Sequence, residues 1–332
     1  MTRLVPADLL VLAVSEMMGP EAFLRIPPGE VSLEPLPSSR AVYRLSFSQG
    51  KFPVVGKFFS VGPTETPLDR GLRAEYDNYR RLPALGLNNG CVPRLLGRRP
   101  EVGLGLLLEA VPGPALDFFL ARACSGGETE PLQGALASLA GLLAFFHSRP
   151  VPEGPATPEP AFPAFQYLGK LLGQLSATGL LSPEDRLALE DEGHAWRERF
   201  ADFAGDPVLV HGDATPTNFL FPLGRAVALD LEKLRVADRL WDLSWVAGEL
   251  KHAWGWRTGD FAAAEPAIRC FFGSYRETVA AGEDLARRLY CLNPFYMALA
   301  ELRIARNLYL SWDYRRELVA EARRCLAWAG RL

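Results

Sequence analysis

Two short polar stretches, each placed where an apolar run stops, constrain this chain more than any other feature. The first is His211-Gly212-Asp213-Ala214-Thr215-Pro216-Thr217-Asn218, preceded by Pro207-Val208-Leu209-Val210. The second is Asp230-Leu231-Glu232, preceded by Arg225-Ala226-Val227-Ala228-Leu229. Short apolar runs of this kind, bounded by turn formers, read as buried strands. A buried strand that stops at a carboxylate holds that carboxylate on a rigid scaffold, and such strand ends are where sites are built.

The side-chain types suit one kind of chemistry. Moving a phosphoryl group takes a carboxylate to orient and deprotonate the acceptor hydroxyl, and hard oxygen ligands to hold Mg²⁺ against the triphosphate. Asp213 suits the first task, Asn218 and Asp230 the second. The spacing of Asp213 and Asn218 matches the H-R-D-x-x-x-x-N loop of protein kinases, with Gly212 in place of the arginine, and Asp230 follows after a strand as in D-F-G. The chain here resembles the aminoglycoside phosphotransferase and choline kinase superfamily, whose signature is H-G-D-x-x-x-x-N and then D-x-[DEN]. Downstream, Ala237-Asp238-Arg239-Leu240-Trp241-Asp242-Leu243 resembles that family's G-D-x-x-x-D-L-A segment. The resemblance implies that Asp242 opens a helix beneath the catalytic loop and ties down its backbone. A lone His-Gly-Asp is more simply a turn or a cap; the whole constellation in this order outweighs that reading. His211 reads as a buried hydrogen-bonding scaffold residue rather than a base.

The resemblance further implies an α+β, bilobal protein-kinase-like fold. Its N-lobe, residues 1–109, would hold a small antiparallel sheet and one helix; its C-lobe, residues 110–332, would be mainly helical and carry the hinge, the catalytic loop 211–218 and the metal loop 230–232. The implied activity is that of an ATP-dependent kinase phosphorylating a hydroxyl of a sugar, amino sugar or amino alcohol, with Mg²⁺ as cofactor. Residue types do not choose between ATP and GTP. Two other readings compete: a catalytically weak pseudokinase serving as a nucleotide-binding interaction module, and an aminoglycoside-modifying kinase. The presence of every polar catalytic element weighs against the pseudokinase. A protein kinase is disfavoured because Leu231 to Arg239 is too short for an activation segment that docks a peptide.

Length and composition agree with an enzyme of two lobes, since 332 residues exceed what one compact core usually holds. A net charge of −3 predicts no electrostatic pull toward nucleic acid. The five cysteines, Cys91, Cys124, Cys270, Cys291 and Cys325, are odd in number and form no C-x-x-C pair, which predicts reduced thiols in a cytoplasmic protein. Leu9 to Val14 is apolar but short and flanked by Asp8 and Glu16, so a surface helix is expected there and no membrane anchor.

Toward the N-terminus, Val31 to Leu36 and Ala41 to Phe47 read as strands around a Pro37-Ser38-Ser39-Arg40 turn, and Phe52 to Phe59 as a third strand. Lys57 sits in its apolar setting, and a buried lysine implies a partner. A helix over Leu68 to Leu85 offers Glu75 on the face of Leu72, Tyr79 and Leu82. Lys57 and Glu75 resemble the strand lysine and helix glutamate that position nucleotide phosphates in kinases; a snorkelling lysine and a surface glutamate are the plainer alternative. No G-x-G-x-x-G appears, so backbone amides and the hydroxyls of Ser38 and Ser39 are candidates to cover the phosphates, or are plain turn residues. The strand Gly103 to Leu108 runs into Glu109-Ala110-Val111-Pro112-Gly113-Pro114, where Pro and Gly break regular structure. The resemblance makes this the hinge and Glu109 and Val111 the backbone contacts of the purine.

From Ala115 onward the pattern is helical, over Leu132 to His147, Leu168 to Leu180, Pro183 to Phe203 and most of the chain beyond Trp241, including Ala298 to Leu310. The stretch from Glu249 carries Trp254, Trp256, Tyr275, Tyr296, Trp312 and Tyr314, which at helical spacing are core or could cage a cation. Its arginines outnumber its carboxylates, which disfavours a polycationic substrate. Arg303 and Arg306, one turn apart, could bind a phosphate or carboxylate of the acceptor or form salt bridges with Glu301 and neighbouring helices. Glu232 is a further candidate on the acceptor side. The acceptor is expected to be a small hydroxyl compound; nothing in the residues sets the oligomeric state.

Overall fold

The computed structural model describes residues 31–37, 41–47, 53–60, 64–87, 90–151, 162–203 and 207–327. Contacts divide the chain into two compact units. One takes the chain as far as Gly113 together with Val227–Leu234; the other comprises Pro114–Ala226 and Arg235–Leu332.

The first unit is built on antiparallel strands β1 (Val31–Pro35), β2 (Ala41–Phe47), β3 (Val54–Phe58), β4 (Leu95–Arg99) and β5 (Leu104–Glu109), in the spatial order β1-β2-β3-β5-β4. β5 reads Leu-Gly-Leu-Leu-Leu-Glu, without polar alternation, and is buried along its length until Glu109. Leu104 and Leu107 close over Leu45, Val54 and Phe58, and each fully buried leucine contributes roughly 1.5–3 kcal/mol. β5 also packs against helix α1 (Pro67–Arg81). The start of α1 is fixed by a capping box: the Asp69 N–H donates to the Thr66 hydroxyl at 3.2 Å and the Thr66 N–H donates to the Asp69 carboxylate at 2.9 Å. Burial alone would push the Asp69 carboxyl up, but N–H groups of Ser60 and Thr66 draw it down to about 2. The helical pattern continues to Leu85, yet the chain tightens into a 3₁₀ turn over Leu82–Leu85, where Pro83 has no N–H for an α-helical bond.

Gly105 decides how α1 meets the sheet. A Cβ at that position would lie 2.4 Å from Leu72 Cδ2 and 2.8 Å from Leu72 Cγ. Its absence lets Leu72 settle on β5, and the next turn of the same helix face then carries Glu75 to β3, the neighbour of β5.

The second unit holds α2 (Leu116–Gly126), α3 (Thr129–His147), α4 (Phe162–Ala177), α5 (Pro183–Phe200), α6 (Leu240–Thr258), α7 (Glu265–Thr278), α8 (Glu283–Ala305) and α9 (Trp312–Ala327). Strand β6 (Pro207–Val210) pairs antiparallel with β9 (Arg235–Asp238). The short strand β7 (Phe219–Leu220) lies between them in sequence, and β8 (Val227–Ala228) belongs to the first unit. α6 is buried on nearly every side and packs on α8, its charged Asp242, Glu249 and Lys251 included. Phe165, Trp196, Phe200, Phe295 and Tyr296 form an aromatic cluster joining α4, α5 and α8. The helix expected over Ala298 to Leu310 is the end of α8 and stops at Ala305. Its continuation turns instead, with the Asn307 N–H donating to the Ile304 carbonyl, and Ser311 starts α9 by accepting the Tyr314 N–H. Among the described residues no helix is long and apolar enough to cross a membrane, and all five cysteines are free thiols.

Gly105→Val should press Leu72 and α1 away from β5. We expect a loss of about 1–3 kcal/mol in denaturant unfolding, with faster amide exchange concentrated in Pro67–Arg81; uniform exchange rates would show that Gly105 does not seat the helix.

Candidate active site

In the first unit, β3 and α1 bring the predicted pair together. Lys57 Nζ donates to Glu75 Oε1 at 2.7 Å and Oε2 at 2.8 Å, and to Asp230 Oδ1 at 3.0 Å. Glu75 is fully buried and Lys57 nearly so. A buried ammonium between two carboxylates is compensated where a lone one would not be. Burial raises Tyr79's hydroxyl well above its ordinary pKa, with the nearby Glu75 and Asp230 carboxylates adding to the effect, so the next turn of α1 is neutral and the charge stays with the pair.

Asp230 follows β8 in a left-handed backbone conformation, φ 56° and ψ 61°. The turn behind it is fastened from α1, where Asn78 Nδ2 donates to the Leu231 carbonyl at 2.7 Å. Glu232 is in the same turn, with Lys233 Nζ 3.9 Å from its carboxylate. At the end of β5 the Glu109 N–H donates to the Arg94 carbonyl and the Ala110 N–H to the Pro53 carbonyl. The Val111 N–H has no hydrogen-bond acceptor among the described residues. Ser38 and Ser39 lie outside the described residues.

In the second unit, the loop after β6 hangs on one buried carboxylate. Asp242 Oδ2 accepts the His211 N–H at 2.7 Å and Oδ1 accepts the Gly212 N–H at 2.8 Å. His147 Nε2 reaches Oδ2 at 3.2 Å, its Nδ1 is 2.7 Å from the Tyr275 hydroxyl, and Arg239 Nη1 donates to that hydroxyl at 2.9 Å. Burial would raise the Asp242 pKa, but the His147 hydrogen bond and charge, the nearby His211 and the Gly212 amide outweigh it and hold the carboxyl below its ordinary value. Gly212 adopts φ +81°, which L side chains rarely do. Its carbonyl accepts the Trp241 indole N–H at 3.3 Å. His211 is fully buried, and its Nδ1 accepts the Asp213 N–H at 3.2 Å. The Asp213 carbonyl accepts from Thr215 N–H at 2.8 Å and from Asn218 Nδ2 at 2.9 Å. The Asn218 amide nitrogen is thereby engaged by the loop itself.

The two predicted arginines part company. Arg303 pairs with Glu249 on α6, and its Nη1 lies 4.0 Å from Asp213 Oδ1. Arg306 instead donates to Gln174 at 3.4 Å. Glu301, offered as a salt-bridge partner, is buried with neither oxygen hydrogen-bonded among the described residues, and burial raises its pKa far above the carboxylate range. Of the aromatics singled out, Tyr275 and Tyr296 are core, while Trp256 and Trp312 are half exposed. Sequence reasoning missed Arg235, which interacts electrostatically with Asp213, Tyr167, which does so with Arg303, and the stacked Trp241 and Trp245, whose rings lie against Arg235 and Arg303. Trp241 and Trp245 lie one turn apart on α6, a spacing that could have flagged them. His147 and Arg288, which binds Asp238 with Nη1 at 3.1 Å, carry no local signal.

The family model described as phosphotransferase enzyme family matches residues 22–280. No curated protein sequence matches the chain. Among solved structures, a Plasmodium vivax ethanolamine kinase superposes with a TM-score of 0.62 at 13% identity, over 97% of this chain and 88% of the other. The choline kinase LicA from Streptococcus pneumoniae gives 0.56 at 16% identity, over 96% and 99%. The ternary complex of streptomycin, ATP and APH(2″)-IIa gives 0.57 at 15% identity, over 99% and 97%. At these identities the likeness is one of fold, and the fold is the protein-kinase-like α+β class.

Because the folded pKa of Asp242 is depressed, its contribution to stability is complete above the unfolded value of about 3.9 and is lost as pH falls through the folded value. Asp242→Asn should therefore be clearly less stable than wild type near pH 7, and the gap should narrow toward about pH 3. Urea unfolding at both pH values checks this; a gap independent of pH would mean that the carboxylate is not ionised in the folded protein.

Proposed function

The chain belongs to the phosphotransferase enzyme family, and from that membership we propose that it transfers the γ-phosphoryl group of ATP to a hydroxyl of a small metabolite. It is a phosphotransferase with an alcohol group as acceptor. The observation that carries the nucleotide assignment is the buried Lys57 held between Glu75 and Asp230. Such a lysine has little reason to be buried for stability, since an apolar residue would serve the sheet better. Its use is a fixed positive point for phosphate oxygens, kept in place by Glu75.

Asp213 is assigned as the base. Its backbone is held on both sides by hydrogen bonds, so the carboxylate is presented by a rigid loop rather than a flexible one. It orients the acceptor hydroxyl and takes its proton as the bond to phosphorus forms. Asn218 and Asp230 are assigned as side-chain ligands of Mg²⁺. Among the described residues no group of three or more His, Cys, Asp or Glu side chains forms a self-contained metal cage. A set of one carboxylate and one amide oxygen suits an ion that keeps waters and binds phosphates as well. Bound Mg²⁺ would neutralise charge on the phosphate oxygens. The Glu109 carbonyl and the Val111 N–H, where β5 ends, are assigned to the purine.

Asp213→Asn should lower turnover by on the order of 10²–10⁴ while ATP binding stays within a few-fold. A coupled nucleotide-consumption assay with a screen of alcohols, sugars and amino alcohols measures it, and turnover within about threefold of wild type would remove Asp213 from the base role.

Lys57→Ala should raise the ATP requirement and lower turnover, and Glu75→Ala should do so more mildly. Because the two share one ion pair, the double variant should cost less than the sum of the singles. Additive costs would separate Glu75 from the nucleotide.

A further inference from the structure

We propose that the second unit carries a further binding site, a cavity framed by α7, α8 and α9 that takes a small organic anion with an apolar body. It is independent of the phosphotransferase reading, because no residue assigned to the nucleotide, the metal or the base lines it.

The cavity holds about 1140 Å³, room enough for a drug-sized molecule. α7 lines it with Ile268 and Phe272, α8 with Leu289, Tyr290 and Met297, and the turn Phe261–Ala264 with Phe261. Two polar groups in this apolar lining are left without partners by the fold itself. The buried Asn293 Oδ1 has no hydrogen-bond partner among the described residues, while its Nδ2 is engaged by the Met297 sulfur at 2.9 Å. Pro294, the next lining residue, lies inside α8 and has no N–H, so the Tyr290 carbonyl lacks its α-helical donor. A buried polar atom without a partner costs about 1–3 kcal/mol. One that lines a cavity can be satisfied by whatever enters.

Charge decides which molecule that is. Four cations of the lining, Lys251, Arg269, Arg276 and Arg324, stand against three carboxylates, Asp260, Glu265 and Glu321. Glu321 is committed to both Lys251 and Arg324, and Asp260 Oδ1 accepts the Ala262 and Ala263 N–H groups. The Arg269 and Arg276 guanidiniums make no ion pair or hydrogen bond with any described residue. They lie two turns apart on α7, with Phe272 and Gly273 between them on the same cavity wall. Glu265 is the one carboxylate left over, and it does not pair with Arg269 one turn on. A cation entering here would meet two free guanidiniums, and a neutral apolar molecule would leave both unused. An anionic group meets planar, forked donors suited to a carboxylate, sulfonate or phosphate. Phe272, Leu289 and Met297 then cover the apolar body behind it.

The test titrates the full chain, with ATP and Mg²⁺ present to cover the nucleotide site, with anilinonaphthalene sulfonate and follows the probe's fluorescence. Phenylnaphthylamine, the same ring body without the sulfonate, serves as the neutral partner. The expected result is one saturable site for the sulfonate, with the neutral probe bound at least about tenfold more weakly. The double variant Arg269→Gln, Arg276→Gln should weaken the sulfonate at least about tenfold and leave the neutral probe unchanged. A Cβ at Gly273 would meet nothing within 4 Å, so Gly273→Trp should fill the cavity without disturbing α7 and abolish binding of both probes. Circular dichroism checks that this variant folds; if it does not, the arginine variant decides. Absence of a saturable site, equal affinity for the two probes, or wild-type affinity for the sulfonate in the double variant overturns the inference. Unaltered binding in a folded Gly273→Trp also overturns it, since the probe would then sit elsewhere.

Discussion

A loop that leaves a strand without entering another ladder must find partners for its amides, and in this chain the partner is a carboxylate that itself could not be buried alone. Asp242 is fully enclosed and accepts two successive backbone N–H groups through separate oxygens. Leaving either amide unsatisfied would cost about 1–3 kcal/mol, and leaving the carboxylate without donors would cost more. Neither side is stable without the other. Asp242 also lies in the first turn of α6, where the helix N-terminus favours negative charge. α6 is in turn clasped by α8 through the apolar centre of the second unit. The position of the His-Gly-Asp loop is thus inherited from the core rather than set by the loop's own residues.

The first unit solves the opposite problem, a buried cation, with different means. Its sheet leaves a space at Gly105, the helix falls into it, and the helix glutamate arrives beside the lysine as a result of packing. The ion pair is not what holds α1 down. Leu72, Tyr79 and the capping box seat the helix independently of the pair.

How much of this was legible in the chain depends on the range of the signal. The strand end at Val210, the turn-forming Gly212 and the helix face of Glu75 are local patterns, and the structure has them where the residues put them, whereas the run 225–229 before Asp230 is strand only over Val227–Ala228. Asp242 could be located only through the resemblance of its own segment, 237–243, to the family's, since the amides it holds lie 31 and 30 residues upstream. His147 could not: its contact with Asp242 spans 95 residues and its own surroundings are a plain apolar helix. The arginines near the C-terminus show the same limit. Residue type made Arg303 and Arg306 equivalent, and only packing sends one toward Asp213 and the other to Gln174. Arg235 escaped notice because it sits in a short strand whose sequence says nothing about which ring it covers. Helix ends drifted for a related reason, since the stops at Arg81 and Ala305 are made by a proline without an N–H and by hydrogen-bonded turns, and not by any loss of apolar periodicity.

The backbone at Asp230 bears on how such a chain can change over generations. A left-handed conformation is tolerated by glycine, asparagine and aspartate and resisted by nearly everything else. Selection for the metal-holding carboxylate proposed above and selection for a foldable turn would therefore act on the same short menu. A lineage that no longer needed the carboxylate would not drift freely here; it would slide to Asn or Gly, keeping its shape while losing its charge. In descendants of this chain that change would be silent in the fold, and the only trace that the chemistry had been given up would be the identity of this one side chain.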